Sequence, residues 1–234
     1  MPSNCELTTV TRRDLFRMTV AGSITLGLGV ASSMGAPGRA QAQTALTSDE
    51  ALKALMDGNA RFTAGRLTSF QGDLTLLAQK TAEKQEPFAA ILSCADSRVP
   101  VEILFDQTIG HVFVVRVAGN VATPEIIASL EYGAAVLGTR LLMVLGHSAC
   151  GAVTAAIAGK AVPGQISALY APLRPAVDQA GPDPDGVIRA NARIQASLLR
   201  TASPVIAGLV AQSKVKVVAA YYNITSGAVS LLGS

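Results

Sequence analysis

Over residues 47–62, TSDEALKALMDGNARF, apolar Leu52, Leu55, Met56 and Phe62 recur at helical spacing behind a Thr or Ser cap, with acids in the first turn. This pattern predicts a helix with one face packed on something larger. Residues 66–86 are polar and mixed. Short, β-rich apolar runs then appear at 88–93, 111–117, 141–146 and 215–222. They are apolar at nearly every position rather than at alternate ones, which predicts strands buried on both faces. Between the second and third runs, 124–137 has helical spacing with Pro near its start, and further helices are predicted over 149–159 and 187–199. The Pro/Gly/Asp-rich stretch 181–186 reads as a surface loop. Alternating strands and helices predict an α/β fold with a mainly parallel sheet, in which ligands gather at the carboxyl ends of strands.

Composition narrows the choice of function. The 234 residues are 50% hydrophobic and 15% charged, enough for one sizeable core. A net charge of +3, with no basic run or aromatic-studded basic stripe, argues against a nucleic-acid partner. Part of that charge lies in the first forty residues. There Arg12, Arg13 and Arg17 precede 21 uncharged residues, 18–38, and then an Ala40-x-Ala42 site. That order of charged, apolar and small-residue segments is an export signal, and the paired arginines resemble a twin-arginine (Tat) signal. The expected division is a signal peptide over 1–42 and one catalytic domain over 43–234. Export of the folded chain through Tat-type machinery to the periplasm follows from it. The competing reading is an uncleaved membrane anchor, since 21 residues are long enough to span a bilayer. Removing residues 1–42 lowers the net charge to +1 and takes Cys5 with it.

The remaining cysteines, Cys94 and Cys150, stand in two motifs: Cys94-Ala95-Asp96-Ser97-Arg98 and His147-Ser148-Ala149-Cys150-Gly151. Two thiolates and an imidazole suit zinc, with a fourth position left for water. Cys94 follows the first predicted strand and His147 the third; if the strand order is 2-1-3-4 these strands are neighbours and their ends converge. A helix starting near Ala149 would aim its N–H groups at bound anions. Asp96 and Arg98, two apart, can form a guanidinium–carboxylate pair that keeps Asp96 ionised and oriented. Two alternatives stay open on residues alone. Cys94 and Cys150 could form a disulfide in an oxidising compartment, and Asp96–Arg98 could be a plain loop ion pair. His111 has no partner at metal spacing and reads as structural, and Arg116, in an apolar strand, is expected to end in an ion pair.

C-x-D-x-R followed about fifty residues later by H-x-x-C-G resembles the β-class carbonic anhydrases. EALKALMDGNARF, VVRVAGN at 114–120, LEYGAAVLG at 130–138 and VKVVAAYYNITSG at 215–227 are similar to that family as well. The resemblance implies one zinc per chain on Cys94, His147 and Cys150, and a catalytic dyad of Asp96 and Arg98. It implies a substrate pocket at Gln85, Phe113, Ala118, Tyr132 and the Gly151 N–H, partly completed by a second subunit; a larger aliphatic residue is common at position 118. The implied fold is a parallel sheet of order 2-1-3-4 with an edge strand near 228–232, flanked by helices. The implied assembly is a homodimer or dimer of dimers. The implied reaction is reversible hydration of carbon dioxide to bicarbonate by zinc-bound hydroxide, rising toward alkaline pH. Related enzymes hydrolyse carbonyl sulfide or carbon disulfide on the same site, and a non-catalytic zinc-binding protein is the reading from another class. A regulated subset of the family places its Asp96 counterpart on the metal at low pH and uses a tryptophan to bind bicarbonate elsewhere. With no Trp in the chain, that bicarbonate site is expected to be absent and Asp96 to stay off the metal.

Overall fold

A computed structural model describes residues 44–69 and 84–233; the export segment 1–42 lies outside the described residues. Helix α1 (Ser48–Thr63) begins at a reciprocal cap. The Thr47 side chain accepts from the Glu50 N–H while the Glu50 carboxylate accepts from the Thr47 N–H. Strands β1 (Ala89–Ser93), β2 (Val112–Arg116), β3 (Leu141–His147) and β4 (Lys216–Tyr222) run parallel, and β5 (Val229–Leu232) pairs antiparallel to β4. The order is β2-β1-β3-β4-β5.

Alternation along the strands divides the core. Ala89, Ile91, Leu141, Met143 and Leu145 face α1 and the short helix α2 (Val101–Leu104), where Leu55 and Phe105 are fully buried. Ala90, Leu92, Leu142 and Val144 face three helices on the other side. These are α3 (Pro124–Glu131), α6 (Pro184–Ala202) and α7 (Pro204–Ala211). Inner strands β1 and β3 are buried at every position, whereas outermost β2 is only partly covered.

The predicted helix over 124–137 is α only through Glu131 and continues as a π-turn over Tyr132–Val136. The wider turn sends Gly133 and Ala134 into the core and leaves Tyr132 and Val136 exposed. The predicted 181–186 loop shrinks to 181–183. Asp183 caps α6 by accepting from the Asp185 and Gly186 N–H groups, with Pro184 in the first turn, so what reads as loop chemistry is helix-start chemistry. Helix α4 (Gly151–Ala158) starts two residues later than predicted, and helix α5 (Tyr170–Ala180) fills a stretch the sequence left blank.

Two packing details stand out, one beside the site and one at the opposite end of the sheet. At Gly146 a Cβ would lie 3.0 Å from Ile188 Cγ2 and 3.2 Å from the Ile188 carbonyl, so glycine lets α6 close onto β3 next to His147. At the far end of β4 only residues 219–222 pair with β5. The Val217 carbonyl beyond that ladder accepts a hydrogen bond from the Arg200 guanidinium on α6.

Candidate metal centre

Parallel pairing of β1 with β3 brings their carboxyl ends side by side, in register from Ala89↔Leu141 to Ser93↔Leu145. Cys94 follows β1 directly and His147 is the last residue of β3. The chain then turns tightly through Ser148 and Ala149, the latter at φ 54°, and delivers Cys150 as the N-cap of α4. A non-glycine residue at that φ is strained by roughly 1–2 kcal/mol. The turn is held from three directions. The Ser148 N–H donates to the Tyr222 carbonyl, the Ser148 hydroxyl accepts from the Ile224 N–H, and Arg98 donates to the Ala149 carbonyl at 3.0 Å.

The donor atoms of Cys94, His147 and Cys150 lie within 4.8 Å of one another, and all three residues are buried. The sulfurs stand 4.0 Å apart as free thiols rather than a disulfide. A tetrahedron with metal–sulfur bonds of about 2.3 Å has an edge of about 3.8 Å, so the spacing fits a shared ion. His147 gives the stronger test. Its Nδ1 donates to the Ser148 carbonyl at 2.9 Å, which leaves Nε2 as the lone-pair nitrogen, and Nε2 is buried without a hydrogen-bond partner. A buried imidazole nitrogen with no partner costs free energy that a metal ion would recover. The thiols add to the same picture. A hydrogen bond from Cys150 holds the Cys94 thiol down at about 4 despite burial. The shared proton and burial push Cys150 up, against the opposing Val153 and Ala152 N–H groups at the start of α4.

Asp96 and Arg98 form a fork. Arg98 Nε and a terminal guanidinium nitrogen reach the two Asp96 oxygens at 2.9 and 2.7 Å, and the Arg98 N–H adds a third bond at 2.9 Å. The Arg98 side chain holds the Asp96 carboxyl well below the usual carboxylate range, and Asp96 in turn raises the guanidinium. Asp96 Oδ2 lies 3.9 Å from His147 Nε2, so an ionised acceptor borders the ligand set.

Arg116 corrects its sequence expectation. Among the described residues it forms no ion pair; Nε donates to the Cys94 carbonyl at 2.9 Å and a terminal nitrogen to the Asp96 carbonyl at 2.6 Å. It ties down the loop that carries one ligand and the carboxylate. The available signal was an arginine closing an apolar strand just before Val117-Ala118-Gly119-Asn120.

The other expected site residues divide into two groups. The exposed Gly151 opens α4 beside Cys150, and Ala118 starts the short 3-10 turn after β2, next to Gly119, whose N–H donates to Cys94 Sγ. Phe113 and Tyr132 meet each other, ring centroids 6.3 Å apart, roughly 10 Å back along β2 from Arg116. Gln85 is exposed before β1. His111 stands edge-on to Phe88, with Nδ1 3.4 Å from Gln107 Oε1.

Residues 89–229 match the sequence profile of the family described as Carbonic anhydrase. Carbonic anhydrase 2 of Mycobacterium tuberculosis (strain ATCC 25618 / H37Rv) is 49% identical over 108 residues, 46% of this chain and 52% of that protein. The chain thus spans about half the length of this relative. The carbonic anhydrase of Pseudomonas aeruginosa is 34% identical over 173 residues, 67% of this chain and 78% of that protein. Among solved structures, a tetrameric β-carbonic anhydrase of Sordaria macrospora superposes with a TM-score of 0.62 at 25% identity, covering 78% of this chain and 96% of that one. The Coccomyxa β-carbonic anhydrase in complex with acetazolamide gives 0.60 at 25% identity, covering 77% and 86%.

Proposed function

Because the chain belongs to the carbonic anhydrase family, with the β-class fold, we propose that it catalyses the reversible hydration of carbon dioxide to bicarbonate and a proton, with one zinc ion held by Cys94, His147 and Cys150. The observation that carries this reading is the Asp96–Arg98 fork beside the ligand set. A site that only stored metal would have no use for an oriented, ionised acceptor there. Bound at these three residues, zinc supplies Lewis-acid activation of a water molecule. The protein does the rest. Arg98 keeps Asp96 ionised and turned toward the ligands, so the carboxylate can accept a hydrogen bond from the attacking oxygen and fix its orientation. Arg98 also bonds the Ala149 carbonyl, so one side chain aligns the acceptor with the turn that carries Cys150. The Gly151 N–H at the start of α4 favours a product that carries negative charge.

The test is stopped-flow carbon dioxide hydration with zinc measured on the same sample. The expected result is fast hydration at one zinc per chain, rising from neutral to alkaline pH, with Asp96→Asn keeping its zinc and losing about 10- to 100-fold in rate. Full zinc without hydration would move the substrate to carbonyl sulfide or carbon disulfide, or leave a zinc-binding protein. An Asp96→Asn protein with unchanged turnover would remove the fork from the mechanism.

Two further parts of the proposal concern the whole chain. A homo-oligomer is supported by the tetrameric Sordaria protein and by Tyr132 and Val136, each 45% exposed beside the outer strand β2; light scattering measures the mass directly. Export as a folded, zinc-loaded protein is supported by the Arg12-Arg13 signal and its Ala40-x-Ala42 site. The Arg12→Lys, Arg13→Lys double variant is expected to stay in the cytoplasm as a longer precursor, read by fractionation and intact mass.

A further inference from the structure

Helix α6 buries a stripe of Val187, Ile188, Asn191, Ala192, Gln195, Ala196 and Leu199. Two primary amides in the middle of an apolar face, each 1% exposed, need a reason. Both are fully engaged, and the bonds lead to the metal centre. Gln195 Oε1 accepts from the Ala122 N–H at 2.9 Å, and its Nε2 donates to Asn191 Oδ1 at 3.0 Å and to the Pro172 carbonyl at 3.2 Å. Asn191 Nδ2 donates to the Gly119 carbonyl at 2.9 Å. The Gly119 N–H, in its turn, donates to Cys94 Sγ at 3.3 Å. Gly119 has φ +76°, a left-handed conformation that side-chain-bearing residues rarely adopt. In this conformation, clamped at its carbonyl by Asn191 and three residues later by Gln195, the N–H meets the sulfur.

We propose that Asn191 and Gln195 are positioning residues for the metal centre: through the 117–122 turn they hold the Gly119 N–H on the Cys94 sulfur, and so set how tightly that sulfur retains the metal. A hydrogen bond to a ligating sulfur withdraws electron density from it and fixes its lone-pair direction. Without the clamp the turn loosens and the N–H leaves the sulfur; the change in electron density at the sulfur shifts its charge-transfer band, and its looser placement, the larger effect on retention, speeds metal release. The proposal rests on the metal ligation argued above, but not on the identity of the substrate.

The experiment uses the full chain with cobalt(II) in place of zinc, and separately with zinc. The variants are Asn191→Leu and Gln195→Met, close in volume to the originals but unable to make these bonds. Leu199→Ala, on the same buried stripe and outside the relay, is the control for simple loss of packing. The expected result is a shifted sulfur-to-cobalt charge-transfer band and zinc release to a chelator about 10- to 100-fold faster in both amide variants. Leu199→Ala should lower the melting temperature while leaving band and release rate unchanged. Amide variants with parental band and release rate would overturn the proposal, as would a Leu199→Ala protein that shifts both equally. If one amide variant fails to fold, the other decides alone, since each breaks the relay at a different bond. Parental protein that binds cobalt and shows the relay effect but does not hydrate carbon dioxide would retire the proposed reaction and leave this inference standing.

Discussion

Arg116 braces the main chain beside the candidate metal centre. Its two bonds go to carbonyls flanking Ala95, so the guanidinium fixes the backbone of the loop from Cys94 to Asp96 while Arg98 fixes the Asp96 side chain. Arg116→Ala is expected to loosen zinc and slow turnover together, while Asp96→Asn slows turnover alone; zinc content and rate on the same samples separate the two. Arg116→Lys keeps the charge but lacks the rigid planar spacing of nitrogens that spans the two carbonyls, and should recover only part of the loss. The five chemical residues, Cys94, Asp96, Arg98, His147 and Cys150, were legible in the sequence because their side-chain types and spacing carry the chemistry themselves. Arg116 was legible as a charge in an apolar strand but not as a loop clamp, because its partners are main-chain carbonyls, which leave no mark in the sequence. The amides of α6 were hidden for the same reason, and their position in the apolar stripe was the only trace.

At the scale of elements, the strands and the entry helix follow from their apolar patterns, since burial on both faces leaves a continuous run and burial on one leaves a helical stripe. Helix α5 was not legible because Pro172 and Pro175 interrupt its pattern, and α7 because it follows α6 with only Ser203 between them. Ser203 marks that break, accepting from the Ile206 N–H. The link between α1 and α2 rests on a buried acid. Asp106 accepts from Arg61, from the Thr68 hydroxyl and from the Thr68 and Ser69 N–H groups. Burial opposes its ionisation, but these donors outweigh burial and hold it well below the usual carboxylate range. A carboxyl depressed on folding stabilises the protein above its unfolded value, about 4, and that contribution fades as pH falls toward the folded value. Asp106→Asn is therefore expected to cost about 3 kcal/mol at neutral pH and to flatten the loss of stability below about pH 4. Urea unfolding at the two pH values measures both.

On the scale of the whole molecule, the site exists only when the sheet is complete. One ligand comes from the end of β1 and two from the end of β3 and the turn after it, and α6 closes onto β3. The sequence implied this convergence through the strand order 2-1-3-4, and the observed topology agrees. The sheet also has a second, quieter vulnerability at its other side. Lys216 N–H bonds back to the Arg140 carbonyl, so the next residue, Val217, turns its polar groups outward, beyond the last rung that β5 supplies. An outward-facing carbonyl on an apolar strand is a docking point for a foreign chain, and the recess around it is lined by Leu52, Ile194, Val218 and Leu231. Arg200 occupies that carbonyl with a charged group. With that partner in place the carbonyl is not available to an added strand. Arg200→Ala should leave hydration intact and make the protein prone to fibre formation on storage, which thioflavin fluorescence and sedimentation would register.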